Sequence, residues 1–316
     1  MPKANTKLKI DTRGKFYAHT DSPLYKLRTK RRLAEVLNQP FQALQALRSD
    51  QGNYKEFEDT SGGKARKIQQ PARNLDVVHT RIASLLCRID TPDYLHSGKR
   101  GLSNVTNAEA HIDSQNVLTT DIRSFFPSTT RKMVFSFFYG FMKCAADVAD
   151  LLADLCTIHS HIPTGSRLSM PLAFWANHTM FNELNELSIK HNVKMTVYVD
   201  DLTFSGEAVN RLFSSCARKI ISKYSHCMHP DKTKLYGSKS PKLITGVIVQ
   251  GASLKVRNQQ HQYLLSEMAQ WLSIKDSPNA LHLSITNRML GRLYSMSVID
   301  KRYRAKAKMV RNSTTP

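Results

Sequence analysis

The chain lacks the features of a secreted, membrane-spanning or zinc-dependent protein. Its five cysteines, Cys87, Cys144, Cys156, Cys216 and Cys227, are scattered over 316 residues without a C-x-x-C pair. An odd count without paired spacing argues against a disulfide framework and for reduced thiols. Cys227 and His229 are the one Cys-x-His pair, and two ligands fall short of the four that a structural zinc site needs. The most apolar stretch, residues 134–142, is far shorter than the roughly 20 residues that cross a bilayer. The polar start, Met1-Pro2-Lys3-Ala4-Asn5, has no apolar core or small-residue cleavage site, so a cytoplasmic protein is expected. No long Gly/Ser or Pro linker, internal repeat or low-complexity segment divides the chain, so subdomains that share contacts are expected rather than separate beads.

Acidic residues are also scarce. There are 25 Asp and Glu against 46 Lys and Arg, a formal net charge of +21, and such an excess suits nucleic acid or an anionic membrane surface. The cations concentrate at the ends. Residues 1–32 carry ten Lys or Arg against Asp11 and Asp21, and residues 301–316 carry six with no acid. Both ends read as arms that contact a phosphate backbone.

Against this background a few acids stand out by position. The run Val193-Lys194-Met195-Thr196-Val197-Tyr198-Val199 is rich in β-branched and aromatic residues, and Leu202-Thr203-Phe204-Ser205 resumes the alternation before Gly206. Asp200 and Asp201 fall at the turn of the hairpin this predicts. Aspartate is common in tight turns, so a structural reading stands beside a functional one. Asp121 closes a second strand-like run, 116–120. If the two strand ends lie side by side, three carboxylates converge, and like charges so placed repel unless cations neutralise them. Hard oxygen ligands without His or Cys suit Mg²⁺, and a pair of such ions is the apparatus of phosphoryl and nucleotidyl transfer.

Ordered motifs over most of the chain resemble the reverse transcriptases. Arg66-Lys67-Ile68-Gln69-Gln70-Pro71 is similar to their fingers motif, Asp121 to Phe126 to the first catalytic palm motif, and Ile162-Pro163-Thr164-Gly165 through Ser169 to the template- and nucleotide-positioning motif. Tyr198-Val199-Asp200-Asp201 is similar to the catalytic hairpin, Lys232-Thr233 to the next palm motif, and Leu243-Ile244-Thr245-Gly246-Val247-Ile248 to the primer-grip hairpin. Asn107-Ala108-Glu109-Ala110-His111 matches the Asn-Ala-x-x-His element of bacterial retron enzymes, and Ile244-Thr245-Gly246 is close to their Val-Thr-Gly. The chain departs from the pattern at Val199, usually Ala, and at Thr164, usually Gln. It departs again at Met170, where Pro comes one place later as Pro171, and at Arg123 and Ser124, which are often acidic in relatives.

The resemblance implies an α+β right-hand polymerase with fingers, a palm of antiparallel sheet backed by helices, and a mainly helical thumb. Its divisions are a basic N-terminal extension and start of the fingers (1–60), fingers (61–115), palm (116–240), and primer-grip hairpin with basic thumb (241–316). It implies two Mg²⁺ held by Asp121, Asp200, Asp201 and the Ile122 carbonyl, and Lys232 as the acid that protonates leaving pyrophosphate, with a solvated surface lysine as the plain alternative. Arg66 and Lys67 would meet the dNTP triphosphate, each with a solvated surface cation as the plain alternative. Phe126 would discriminate against a ribose 2′-hydroxyl, or be plain core, with Phe125 as packing. Gly165 would let nucleotide or template approach closely, or simply serve a turn. RNA contacts would come from Asn107, His111, Thr245, Gly246 and Arg257, with a structural hydrogen bond as the alternative for His111. In the thumb, Tyr263 and Trp271 would stack on bases or belong to the core.

The implied partners are dNTPs, a cognate noncoding RNA that serves as template and primer, the branched RNA–DNA product (multicopy single-stranded DNA), and a separate effector protein in antiphage defence. Two alternatives stay open: another bacterial reverse transcriptase, of group II intron or diversity-generating type, and an RNA-binding scaffold with a vestigial polymerase. Helices are expected around 26–47, 129–160, 172–187 and 209–221 and over most of the chain beyond Gly251, with a turn at Thr60-Ser61-Gly62-Gly63.

Overall fold

The computed structural model describes residues 8–48, 52–60, 63 and 65–315. The first seven residues of the basic N-terminal arm, Ser61 and Gly62 of the expected turn, and Lys64 lie outside them. In chain order the elements are α1 (Lys30–Leu37), α2 (Phe41–Ala46), β1 (Tyr54–Asp59), β2 (Arg66–Pro71), α3 (Arg73–Leu86), α4 (Asn104–Glu109), β3 (Val117–Asp121), α5 (Phe125–Ser128), α6 (Arg131–Ser136), α7 (Ala146–Cys156), α8 (Ser169–Ala176) and α9 (His178–Lys190). There follow β4 (Lys194–Tyr198), β5 (Asp201–Ser205), α10 (Arg211–Lys223), β6 (Lys234–Tyr236), β7 (Lys242–Ile244), β8 (Val247–Gln250), β9 (Ser253–Val256), α11 (Asn258–Leu272), α12 (Ser284–Ser297) and α13 (Arg302–Asn312). Helices mix with antiparallel strand pairs, as an α+β chain requires.

Two expected helices are divided. The first ends at Leu37 because Asn38 takes a left-handed cap (φ 53°) and Pro40 follows, so α1 and α2 form separately. The second is split into α6, a π-helical turn at Phe137–Phe141 and α7. Beyond Gly251 a strand comes first, since the alternating Ser253–Val256 pairs with β8 before the helices begin.

The chain forms two interleaved units. The first comprises Met1–Gly98, Asp121–Leu187 and Ser215–Pro230, and the second comprises Lys99–Thr120, Ser188–Ser214 and Asp231–Pro316. In the first unit, α3 is buried through Leu75, Val78, Ile82 and Leu86 at helical spacing. His79, on the same helix, is also buried. Its Nε2 donates to the Leu155 carbonyl (2.7 Å) and its Nδ1 lies 2.7 Å from the Ser166 hydroxyl. His226 is held likewise, with Nε2 2.7 Å from Asn177 Oδ1 and Nδ1 2.9 Å from Ser128 Oγ. Burial pushes both histidines down to about 4.

The second unit contains a four-stranded sheet in the order β4-β5-β3-β6 and a three-stranded meander β7-β8-β9. Val105 and Ala108 of α4 pack with Val117 of β3 and with Ile244, Val247 and Val249 of the meander. A separate core joins α11, α12 and α13 through Leu264, Trp271, Met289, Leu293, Ala307 and Val310. Trp271 is a core residue, and its indole N–H donates to Thr314 Oγ1 at 2.9 Å. Tyr263 is exposed beneath the Arg292 guanidinium, 4.8 Å from the ring centre. Arg292 grips the buried Glu267 through both carboxylate oxygens (2.7 and 2.8 Å).

Two outcomes follow for stability. Between pH 6.5 and about 4 the unfolded chain takes up protons that His79 and His226 refuse in the fold, so acidification must favour unfolding. The loss approaches about 3 kcal/mol per histidine at the low end. The urea midpoint is expected to fall already between pH 6.5 and 5, above the ordinary carboxylate range, and a flat profile there would mean that the rings are not buried neutral. Glu267→Ala takes the charged partner from the partly exposed Arg292 guanidinium and is expected to cost about 1–2 kcal/mol in denaturant unfolding. A change under about 0.5 kcal/mol would show the pair to be solvated.

Candidate functional site

The central hairpin joins β4 to β5 with Tyr198 opposite Asp201, so its two turn residues are Val199 and Asp200, and Asp201 is the first residue of β5. The expectation of both aspartates in the turn is thus shifted by one residue. Two-residue hairpin turns favour a positive φ at their first position, and Val199 takes φ 62°. That is costly for a β-branched side chain, and such strain persists where the surroundings over-determine it. The strands supply the restraint, for Val197, Leu202 and Phe204 are fully buried.

Asp121 ends β3 and is itself buried. Its carbonyl accepts the His229 amide at 2.7 Å, Ile122 bridges to Met228, and the Arg123 amide donates to the Cys227 carbonyl at 2.8 Å. Residues 121–123 are therefore laced to 227–229. Ser124 (φ 51°) then turns the chain into α5. Phe125 is buried against Phe181 and His226, while Phe126, in contact with Phe125, is half-buried.

The first unit brings Arg66, Lys67 and Gly165 together. Lys67 forms an ion pair with Glu56 of β1 at 2.7 Å, and Glu56 also meets His159 (2.9 Å) and Gln69 (3.3 Å). These partners, Lys67 first, hold the Glu56 carboxyl down to about 2. Strand alternation turns Arg66 to the opposite face, which it shares with Ile68. A Cβ on Gly165 would lie 2.8 Å from both the Gln69 carbonyl oxygen and Ile68 Cγ2. The close approach that Gly165 makes within the chain is thus to β2. Thr164 fastens the same contact, donating its hydroxyl to the Lys67 carbonyl at 2.6 Å.

The remaining residues fall in the second unit. Lys232 is exposed at the end of a short 3₁₀ turn (Pro230–Lys232) before β6, and Thr233 next to it bonds Thr120 of β3 through the hydroxyls at 2.7 Å. Arg257 is exposed at the start of α11. Asn107, His111, Thr245 and Gly246 come together around α4. Thr245 and Gly246 form the β7–β8 turn, with φ of 43° and 84°. The Asn107 and His111 side chains are fully buried, and both His111 ring nitrogens are engaged by hydroxyls. Direct RNA contact by these two side chains gives way to the structural role, because neither reaches the surface. Sequence reasoning missed their partners Thr196 and Ser205, and also Glu56, since nothing local marks a bond between residues so far apart in the chain.

The donor set at the hairpin and at the end of β3 is hard carboxylate oxygen, chemistry that suits Mg²⁺. Among the described residues, no three His, Cys, Asp or Glu side chains stand grouped to hold a metal ion. Nor is any helix among them long and apolar enough to cross a membrane.

No family model matches the chain. Individual proteins do. The retron Se72 reverse transcriptase of Salmonella heidelberg (strain 579083-10) is 28% identical over 229 residues, 67% of this chain and 59% of that protein. The retron Ec86 reverse transcriptase of Escherichia coli is 21% identical over 210 residues, 65% of each chain. The retron Mx65 reverse transcriptase of Myxococcus xanthus is 28% identical over 210 residues, 60% of this chain and 49% of its own. The chain thus spans about half to two thirds of the length of these curated relatives. With its order of motifs and these three matches, the chain is a relative of the retron-type reverse transcriptases.

Proposed function

We propose that the chain is an RNA-directed DNA polymerase of the retron type, which copies a cognate structured RNA into DNA joined to that RNA. The observation that carries the reading is the Asp200–Asp201 pair at a strained hairpin turn, on a strand that neighbours β3, the strand ending at Asp121. The Gly206 amide, just past β5, donates to the carbonyl of Asn116, just before β3. The strands therefore run antiparallel. The names of the matched proteins support the same activity.

In this reading the four-stranded sheet is the palm, the β1–β2 hairpin belongs to the fingers, and α11 to α13 form the thumb. Asp121, Asp200, Asp201 and the Ile122 carbonyl would hold two Mg²⁺. When bound, these ions would lower the cost of ionising the primer hydroxyl and of releasing pyrophosphate. The other residues bind and orient. Arg66 meets the triphosphate with a forked guanidinium, Phe126 lies under the sugar, and Lys232 delivers a proton to the departing pyrophosphate. Lys67 is spent on Glu56, so its part is to stiffen the hairpin that presents Arg66. Thr245, Gly246 and Arg257 lie along the path of the nucleic acid.

Priming from an internal guanosine 2′-hydroxyl would give branched RNA–DNA. The setting would be cytoplasmic antiphage defence with a separate effector protein.

The test is incorporation of labelled dNTPs in Mg²⁺ by protein purified with RNA transcribed from its neighbouring locus, comparing wild type with Asp200→Asn. Wild type is expected to make DNA that stays joined to RNA after protease and shortens with RNase. Asp200→Asn is expected to lose at least about 10³-fold in rate while retaining the RNA. Equal rates would remove Asp200 from the site, and retention of RNA without synthesis by wild type would favour the scaffold.

A further inference from the structure

We infer that α4 and the His111 that follows it tie the hairpin bearing Asp200 and Asp201 to the Thr245-Gly246 turn, and that Asn107 and His111 are positioning residues of the reaction. The inference rests on the polymerase reading and deepens it, because it assigns a task to side chains that reach neither substrate nor solvent.

One imidazole spans both strands of the first hairpin. His111 Nδ1 lies 2.6 Å from the Ser205 hydroxyl at the end of β5, and Nε2 lies 2.8 Å from the Thr196 hydroxyl of β4. These residues sit in the register of the hairpin, Ser205 opposite Lys194 and Thr196 opposite Thr203, so the ring fastens the strands at the end away from the aspartates.

The same segment holds the second hairpin. Asn104 donates its side-chain amide to the Thr245 carbonyl (3.1 Å), and the Thr245 hydroxyl donates to the Asn104 carbonyl (2.8 Å). Asn107 adds a longer bond, 3.4 Å, from its amide to Thr245 Oγ1. Its own carbonyl oxygen is buried without a hydrogen-bond partner, a poor choice for a residue whose use is packing. Its use is the donor. Between the two sets of bonds, Val105 and Ala108 seat α4 on Ile244, Val247 and Val249, and the Ser103–Thr106 capping box fixes the start of the helix.

Each tied hairpin has a β-branched residue at positive φ in its turn, Val199 at 62° and Thr245 at 43°. Such turns keep their shape where their surroundings allow no other. One helical turn and His111 supply that restraint for both, so a shift of one hairpin is felt by the other. If one carries the reacting end and the other the primer strand, α4 sets the offset between them, and an error of about 1 Å in such an offset can cost about 100-fold in rate.

The test uses the full chain with two readouts. The first is hydrogen exchange of residues 194–205 and 242–250 in wild type, His111→Gln, His111→Ala, Thr245→Val and Thr245→Ser. Thr245→Val is expected to speed exchange in the distant 194–205 segment and the His111 variants to speed it in 242–250, with Thr245→Ser restoring what Thr245→Val loses. The second is primer extension per active site, where the His111 variants are expected to lower kcat about 10- to 100-fold and Thr245→Val to raise the KM for primer-template. Exchange that changes only in the hairpin nearest each substitution overturns the tie, as do an unchanged kcat and KM in the active fraction. If His111→Ala fails to fold, His111→Gln and Thr245→Val decide the matter. Absence of dNTP incorporation by wild type would instead sink the polymerase reading, while the exchange arm still tests the tie.

Discussion

Two carboxylates side by side at a hairpin turn repel each other, so the strands that carry them must be firmly held. That constraint accounts for much of the second unit. The strands behind Asp200 and Asp201 are buried through Val197, Leu202 and Phe204, which fixes their register because a one-residue slip would turn each of these side chains to the other face. Strand β5 is flanked on both sides, by β4 and β3, and so has no edge along which to slide. His111 closes the far end. A turn with Val199 at φ 62° is tolerable under these conditions because the strands leave it no alternative.

The first unit uses neutral histidines as connectors in its interior. His79 and His226 serve as buried two-sided connectors, each engaged at both ring nitrogens, and burial favours the uncharged ring in both. Ion pairs stay near the surface, where Arg48 and Arg131 share Asp150 and Asp154, and Arg167 holds Asp76 at 2.6 Å. The β1–β2 hairpin follows the same division. Lys67 is neutralised by Glu56 on one face, and Arg66 lies on the other face with Ile68, the residue that seats against Gly165.

Legibility in the sequence followed the range of the interaction. The aspartates could be placed at strand ends because alternation and the following Gly206 are local signals, and the break between α1 and α2 is written in Asn38 and Pro40 although a longer helix was expected. Gly165 announced a close approach without saying to what, since a missing Cβ constrains its own residue and not its neighbour's identity. The division of labour between Arg66 and Lys67 needed the pairing of β2 with β1, which sets the faces. His111 was the least legible. Its partners lie 85 and 94 residues away, and a hydroxyl acceptor carries no pattern that marks it for a distant imidazole.

The charge balance gains meaning from where the acids are used. With 25 acids against 46 bases, many carboxylates of this chain are already occupied by a cation: Glu56 by Lys67, Asp76 by Arg167, Glu183 by Lys223, Glu267 by Arg292 and Asp300 by Arg302. The uncompensated positive charge is left on surfaces such as α13. There Ala307 and Val310 face the core, while Arg304, Lys308 and Arg311 remain exposed on the outer side. Like charges so placed raise the energy of the folded chain by mutual repulsion, and a phosphate backbone relieves it by replacing that repulsion with attraction and releasing its own counterions. A surface so charged suits a polyanion.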